Sequence, residues 1–155
     1  MSNPLPSTSR HTPKAVADAM YAQDTVAQDL RMQIMAIGAG SAAVSMTVQQ
    51  SMLNGLGTAH GGYLFTLADT AFAYACNSRN QHAFAVDCNI QFLRPAYAGD
   101  TLLATATETA TAGRTGVYDV VVKRTMASNA TANDTEIIAT FRGKSAQVKG
   151  THLPE

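Results

Sequence analysis

The hydrophobic and polar positions of this chain follow two different periods, one typical of a helix and one typical of strands. Residues 60–77 are apolar on nearly every side, as expected of a buried helix. The polar and small side chains of this run fall at helical spacing and would share one stripe: Gly62, Thr66, Asp69, Thr70, Ala73 and Asn77. Residues 84–93 instead alternate between apolar and mostly polar side chains, which predicts a half-buried strand.

Weaker patterns divide the rest of the chain into elements. Pro13 can open a first helix that extends to about Leu30, and a glycine-rich turn at 38–41 joins two predicted strands, 32–37 and 43–48. Three more strands are predicted at 101–111, 116–126 and 136–144. Because every connection after the buried helix is short, we predict an antiparallel meander. With one sheet and one apolar helix, the sheet is expected to curl around the helix in an α+β fold.

Length and composition indicate one domain and argue against several classes of function. Of the 155 residues, 46% are hydrophobic, which is enough for a core. The formal net charge is zero and the 11 Lys and Arg residues form no run, which argues against a nucleic-acid surface. No stretch approaches the roughly 20 apolar residues that a membrane helix needs. We expect a disordered N-terminal tail at 1–12, one domain at 13–147 and a C-terminal tail at 148–155.

The N-terminus and the cysteines bear on location and cofactors. The polar, proline-containing segment 1–13 lacks the apolar core of a signal peptide, so we expect a cytoplasmic protein. Cys76 and Cys88 each lie in an apolar element, where a buried free thiol is expected. The four histidines and two cysteines have unrelated spacings, so the sequence carries no metal signature.

Asp69 and the start of its helix suggest acyl chemistry. A carboxylate in an apolar helix is costly without partners, so it has either a structural partner, such as a threonine or a backbone group, or a function. The Gly61 amide at the helix start could stabilise an oxyanion. Eight residues separate the two, about 12 Å at about 1.5 Å per residue, too far for one acyl carbon. Two helices antiparallel about a two-fold axis would bring Asp69 of one chain to Gly61 of the other, which predicts a dimer.

Several segments together resemble the hotdog-fold thioesterases, specifically the phenylacetic-acid-degradation (PaaI-type) branch. These segments are 52–55, 60–62 with 67–77, 92–96 with 99–102, 113–120 and 141–145. The resemblance spans about 15–147, and the run 60–77 is its most specific part. It implies a six-stranded antiparallel sheet wrapped around one long helix, here with an additional N-terminal helix. It also implies dimers that often pair into homotetramers, and hydrolysis of acyl-CoA thioesters without a metal or other cofactor, since coenzyme A is part of the substrate.

The resemblance also implies roles for particular residues. Asp69 corresponds to the catalytic acid, the Gly61 amide to the oxyanion donor, and Asn54 to the loop residue that positions water or the carbonyl. His60 corresponds to the histidine that supports the helix start. In this sequence Asn54 is otherwise an ordinary turn residue, and direct chemistry by His60 is the less favoured alternative.

Substrate contacts are predicted from residue type and position. Candidates on the helix and on the polar face of the next strand are Gly62, Thr70, Asp87 and Asn89. The plainer explanation of Gly62 is close helix packing, and that of Thr70 is a hydrogen bond within its own helix. Charges that could hold CoA phosphates are Arg94, Arg114, Arg142 and Lys144, each of which could equally be a solvated charge. Apolar walls for an aryl group are sought among Tyr63, Leu64, Phe65, Phe72 and Tyr74.

The sequence leaves function and mechanism with alternatives. The favoured function is hydrolysis of phenylacetyl-CoA or hydroxyphenylacetyl-CoA, with Asp69 as general base or nucleophile. The alternatives are a non-catalytic acyl-CoA-binding or sensing module and, less favoured, a hotdog dehydratase, for which the catalytic loop is missing. Two departures from the family stand out: residues 85–89 offer no serine or threonine beside the helix, and the connection 128–134 is longer than expected.

Overall fold

The computed structural model describes residues 9–125 and 136–155, so the predictions for 1–8 and for the connection 128–134 lie outside the described residues. The elements in chain order are α1 (Pro13–Gln23), α2 (Thr25–Asp29), β1 (Gln33–Gly38), β2 (Ser41–Thr47), a short 3-10 turn (Gln50–Met52), α3 (Gly61–Cys76), β3 (Ala83–Phe92), β4 (Thr101–Ala112), β5 (Thr115–Thr125) and β6 (Glu136–Gln147). In this part of the chain no helix is both long and apolar enough to cross a membrane.

One antiparallel sheet of six strands packs against α3. The strand order is β1-β2-β4-β5-β6-β3. Leu67, Ala68, Ala71 and Ala75 of α3 have no exposed surface, because this side of the helix is pressed against the sheet. The ring of Phe72 packs against Tyr118 of β5 and Phe141 of β6, with centroids 5.5 and 5.8 Å away. The predicted α+β architecture, a sheet around one long helix with an added N-terminal helix, is confirmed.

The predicted meander is wrong at β3, which is not a neighbour of β4. Strand β4 pairs with β2 from Thr47↔Thr101 to Ser41↔Thr107, and β3 pairs with β6 at the sheet edge. The segment 93–100 therefore crosses the end of the sheet near the start of α3. Its backbone is held there because Leu93 N donates to Ile138 O and Gly99 N donates to Val48 O, both at 2.8 Å. Among the strands of the described residues, only β4, β5 and β6 form a meander.

The prediction of one helix over 13–30 is also wrong, because the helix is interrupted at Asp24, between α1 and α2. The backbone of Asp24 is non-helical, with φ −90° and ψ 85°, and its carboxylate caps α2 by accepting from Ala27 N at 3.0 Å. The other oxygen of Asp24 accepts a hydrogen bond from the buried Tyr74 hydroxyl at 3.1 Å. This contact links the interruption between α1 and α2 to α3, where the chain turns towards β1.

The segment 148–155, predicted as a tail, lies against the loop that follows α3. His82 N donates to Gly150 O at 3.0 Å, and the side-chain oxygen of Asn80 accepts from the amides of His152 and Leu153. The His152 ring contacts the side-chain oxygen of Asn77, the C-cap residue of α3, at 2.7 Å. The end of the chain is therefore tied to the C-terminus of the central helix.

Candidate active site

The first turn of α3 presents one backbone donor. The amide of Gly62 donates to His60 Nδ1 at 2.9 Å, and the amide of Tyr63 donates to His60 O at 2.9 Å. The Gly61 amide donates to no group within the described ranges. Free amides at a helix N-terminus, where the helix dipole is positive, attract carbonyl oxygens and anions. Gly61 thus offers the donor that an oxyanion requires.

His60 is the N-cap of α3. Because its Nδ1 accepts the Gly62 amide hydrogen, we assign the ring proton of the neutral imidazole to Nε2. A Cβ on Gly62 would lie only 3.0 Å from Nδ1, so glycine leaves the room that this cap needs. Through this contact the imidazole caps the start of α3.

Asp69 lies two turns further along α3, on the half-exposed side of the helix. Burial raises the pKa of its carboxyl group. Thr66 and Thr70 on the same stripe do not hydrogen-bond to it, since their hydroxyls donate back to Gly62 O and Thr66 O at 2.8 and 2.7 Å. Among residues 9–125 and 136–155 Asp69 has no hydrogen-bond or ion-pair partner, so the structural partner considered from the sequence is not found there. A partly desolvated carboxylate of this kind is suited to accept a proton.

The electrostatic neighbours of Asp69 are two thiols. Burial, and after it the charge of Asp69, raises the pKa of Cys76 to about 12. The same two causes, with the charge of Asp87 as a third, raise the pKa of the Cys88 thiol. The described residues contain no cluster of three or more His, Cys, Asp or Glu side chains that could hold a metal ion.

Asn54 organises the loop that leads to α3. Its side-chain oxygen accepts from Leu56 N at 3.0 Å and from Thr58 N at 3.2 Å, and its side-chain nitrogen donates to Thr58 Oγ1 at 3.0 Å. These are the contacts of a turn-forming asparagine. The loop continues into Ala59, whose amide is fixed by Ala96 O at 2.8 Å, so Asn54 shapes the approach to the helix start.

A pocket of about 360 Å³ opens beside Gly61. Its walls come from the end of the 54–58 loop, the first turn of α3 and the end of β3: Thr58, Ala59, Gly61, Leu64, Phe92, Leu93, Arg94 and Pro95. The sequence analysis did not name Phe92 as a site residue, although it placed Phe92 on the apolar face of its strand and in the segment 92–96 of the family resemblance. The signal was its place directly before Leu-Arg-Pro, where β3 ends.

The residues predicted as apolar walls for an aryl group lie in different parts of the structure. Leu64 lines the pocket, but Phe72 and Tyr74 are only 1% exposed and belong to the protein core, so their prediction as pocket walls is wrong. Phe65 packs edge-on against Phe141, with centroids 5.4 Å apart. Helical spacing alone could not separate the sheet side of α3 from its open side.

The predicted charges are also spread over different places. Arg94 lines the pocket, and its Nη1 donates to Ile137 O at 2.8 Å. Arg114 lies at the turn between β4 and β5 in a second cavity with Gln81, Gln147 and Lys149. Lys144 is in register with Asp87 on β3. Arg142 is paired with Asp119 at 2.7 Å, which favours the plainer explanation of its charge.

The single apolar face predicted for β3 is wrong, because a register shift between Ala85 and Asp87 interrupts the alternation and only part of its apolar side chains pack against the described core. Phe84, Val86 and Phe92 are exposed, while Cys88 and Ile90 are half-buried. β3 is an edge strand, so in the described part of the chain one of its sides has no strand partner. An exposed apolar edge strand is a surface that native proteins normally cover.

Comparison with known proteins gives a consistent result. Residues 56–126 match the thioesterase superfamily. The chain is 47% identical to the acyl-coenzyme A thioesterase PaaI of Escherichia coli K12 over 135 residues, which are 87% of this chain and 91% of that protein. The solved structure of E. coli PaaI, from the phenylacetic acid degradation operon, superposes with a TM-score of 0.82, covering 90% of this chain and 95% of that one at 46% identity. A Streptococcus mutans UA159 protein bound to acetyl-CoA matches with a TM-score of 0.69 and 25% identity, over 77% and 90% of the two chains.

Proposed function

The chain belongs to the thioesterase superfamily and is a hotdog-fold acyl-CoA thioesterase, and we propose that its preferred substrates are phenylacetyl-CoA and hydroxylated phenylacetyl-CoA. The similarity to a thioesterase from a phenylacetic acid degradation operon supports an arylacetyl substrate. The observation that carries the catalytic part is the free Gly61 amide on the same helix as the half-buried Asp69 carboxylate. The non-catalytic module considered from the sequence is not retained, since the chain's relatives include named thioesterases.

In the proposed mechanism the thioester carbonyl accepts a hydrogen bond from Gly61 N–H at the positive end of the helix dipole. As the carbonyl carbon becomes tetrahedral, negative charge builds on its oxygen, and this donor stabilises the charge. Asp69 takes a proton from water as the water attacks, or attacks the carbonyl itself to form a mixed anhydride that water then hydrolyses. Either route yields the carboxylic acid and coenzyme A, whose thiolate is a good leaving group and takes up one proton.

This mechanism requires two protomers. Gly61 and Asp69 stand about 12 Å apart along one helix, so the two groups that act on one carbonyl must come from different chains. We propose a homodimer in which two copies of α3 run antiparallel, and in which pairs associate further into a homotetramer. The exposed Phe84 and Val86 and the unpaired edge of β3 support this arrangement, because a two-fold interface buries the same surface on both chains.

The supporting roles follow the contacts of the loop and the pocket. We propose that His60 fixes the first turn of α3 and that Asn54 positions water or the carbonyl through the loop that it holds. Arg94 lines the pocket beside Gly61, where it would meet the thioester end of the substrate, while Arg114 and Lys144 stay candidates for the phosphates of coenzyme A. Gly62, Thr70, Asp87 and Asn89 stay candidates for contacts around the acyl group, and a cytoplasmic location stays a prediction.

The deciding experiment compares thiol release from a panel of acyl-CoAs by the wild-type protein and Asp69→Asn. Loss of a general base or nucleophile should lower kcat by about 10²- to 10⁴-fold, while Asp18→Asn, on the exposed side of α1, should leave it unchanged. An Asp69→Asn protein with wild-type kcat would refute the role of Asp69. A wild-type protein that hydrolyses alkyl thioesters faster than phenylacetyl-CoA would refute the substrate.

A stability measurement separates lost chemistry from lost folding. Burial raises the folded-state pKa of Asp69, so its ionised form opposes folding, and this penalty grows as pH rises from 3.8 through the folded-state pKa. Asp69→Asn should therefore have an equal or higher Tm than wild type at pH 7, and no such gain below pH 3.8. A lower Tm at pH 7 would contradict this account.

A further inference from the structure

We propose that Phe92 is the specificity-determining residue of the acyl pocket and that its ring selects aryl over long alkyl groups. The inference rests on the proposed function, in which the thioester carbonyl meets Gly61 N–H. Phe92 lies directly over that residue: a Cβ built on Gly61 would be 3.0 Å from Phe92 Cζ and 3.3 and 3.5 Å from the two Cε atoms. A carbonyl bound at the Gly61 amide therefore places its neighbouring group against this ring.

The pocket walls suit an apolar group better than the amide-bearing arm of coenzyme A. Backbone amides that could have bound such an arm already donate within the chain. Thr58 N donates to Asn54 Oδ1, Ala59 N to Ala96 O, and Leu93 N and Arg94 N both to Ile138 O. Bound polar groups without partners are costly, whereas Leu64, Phe92 and Pro95 offer apolar surface. The acyl group is thus the part of the substrate that this pocket accepts.

The backbone of Phe92 is held by the strand, and its ring takes no part in the packing of the described core. Phe92 is 53% exposed, yet its backbone pairs with Ala139 as the last residue of β3, and the next amide is held by Ile138 O. Removing the side chain should therefore widen the pocket without opening the core. An aromatic pair contributes binding energy beyond its buried area. Loss of the ring should therefore lower kcat/KM roughly 3- to 10-fold more for an aryl substrate than for an alkyl substrate.

The test measures kcat/KM for phenylacetyl-CoA and decanoyl-CoA in wild type, Phe92→Ala and Phe92→Tyr. We expect the phenylacetyl-to-decanoyl ratio to fall at least 3-fold in Phe92→Ala and to stay within 2-fold in Phe92→Tyr, which keeps the ring. Tyr97→Ala is the matched control, because Tyr97 is also an exposed aromatic (48%) but does not line the pocket. The phenylacetyl-to-decanoyl ratio of Tyr97→Ala should equal that of the wild type.

A second variant pair tests the contact itself. Gly61→Ala keeps the backbone amide but places a Cβ against the Phe92 ring, so activity should fall, and Phe92→Ala in the same chain should recover part of it. An unchanged ratio in Phe92→Ala, or equal losses for both thioesters, would overturn the inference. If instead the wild-type protein itself favours decanoyl-CoA, the proposed substrate is refuted. This outcome is distinguishable from failure of the Phe92 inference because it is seen without any variant.

Discussion

The His60 cap gives the sharpest test of how the helix start is built. His60→Ala removes the acceptor of the Gly62 amide, a contact of 2.9 Å, from an exposed side chain. Because the residue is exposed, no cavity is left, and the loss is that of an N-cap, typically about 1 kcal/mol. For a domain of this size that corresponds to a fall in Tm of about 2–4 °C. His60→Asn supplies an oxygen that commonly caps helices and should recover most of the loss.

The same pair of variants decides between the two roles considered for His60. If the imidazole only caps α3, thiol release by His60→Asn should stay within a few-fold of wild type. If it acts as an acid or base, both variants should lose kcat to the same extent even though one is stable. Thermal unfolding measures the effect on stability, and thiol release at saturating substrate measures the effect on kcat. The unfolding is done at one fixed protein concentration, because the Tm of an oligomer depends on concentration. A His60→Ala protein with wild-type Tm, or a His60→Asn protein as unstable as the alanine variant, would refute the capping argument.

Two further predictions concern the support of α3. Phe72→Ala should lower the free energy of unfolding by about 3–5 kcal/mol, since the ring is 1% exposed and packs against Phe141; a loss below about 1 kcal/mol in denaturant titration would contradict this. Glu108→Gln breaks a network in which Arg79 binds both carboxylate oxygens and Tyr118 donates at 2.7 Å. Arg79 lowers the pKa of Glu108, so the stability that it contributes is present above pH 4.5 and lost at lower pH; the variant should be less stable at pH 7, and the difference should shrink as pH falls from 4.5.

Local patterns were sufficient for the strands and for the central helix with its ends. The helix predicted at 60–77 is α3 with its caps, His60 and Asn77, and the strand predicted at 84–93 is β3 shifted by one residue. Asp69 could be singled out because a carboxylate in an apolar run is unusual whatever the fold. These features depend on residues a few positions apart in the chain, which the sequence displays directly.

Contacts between distant parts of the chain decided the rest. Whether β3 lies beside β4 or beside β6 depends on where β2 pairs, and the hydrogen bond that joins Asp24 to Tyr74 spans fifty residues of sequence. Phe72 and Phe92 look equally apolar in the sequence, yet one is in the core and the other lies over Gly61. The sequence by itself determined the periodicity, the helix caps and the unusual acid, because these are local. Only the tertiary structure decided which apolar residues form the core and which form the pocket, since burial is set by non-local packing.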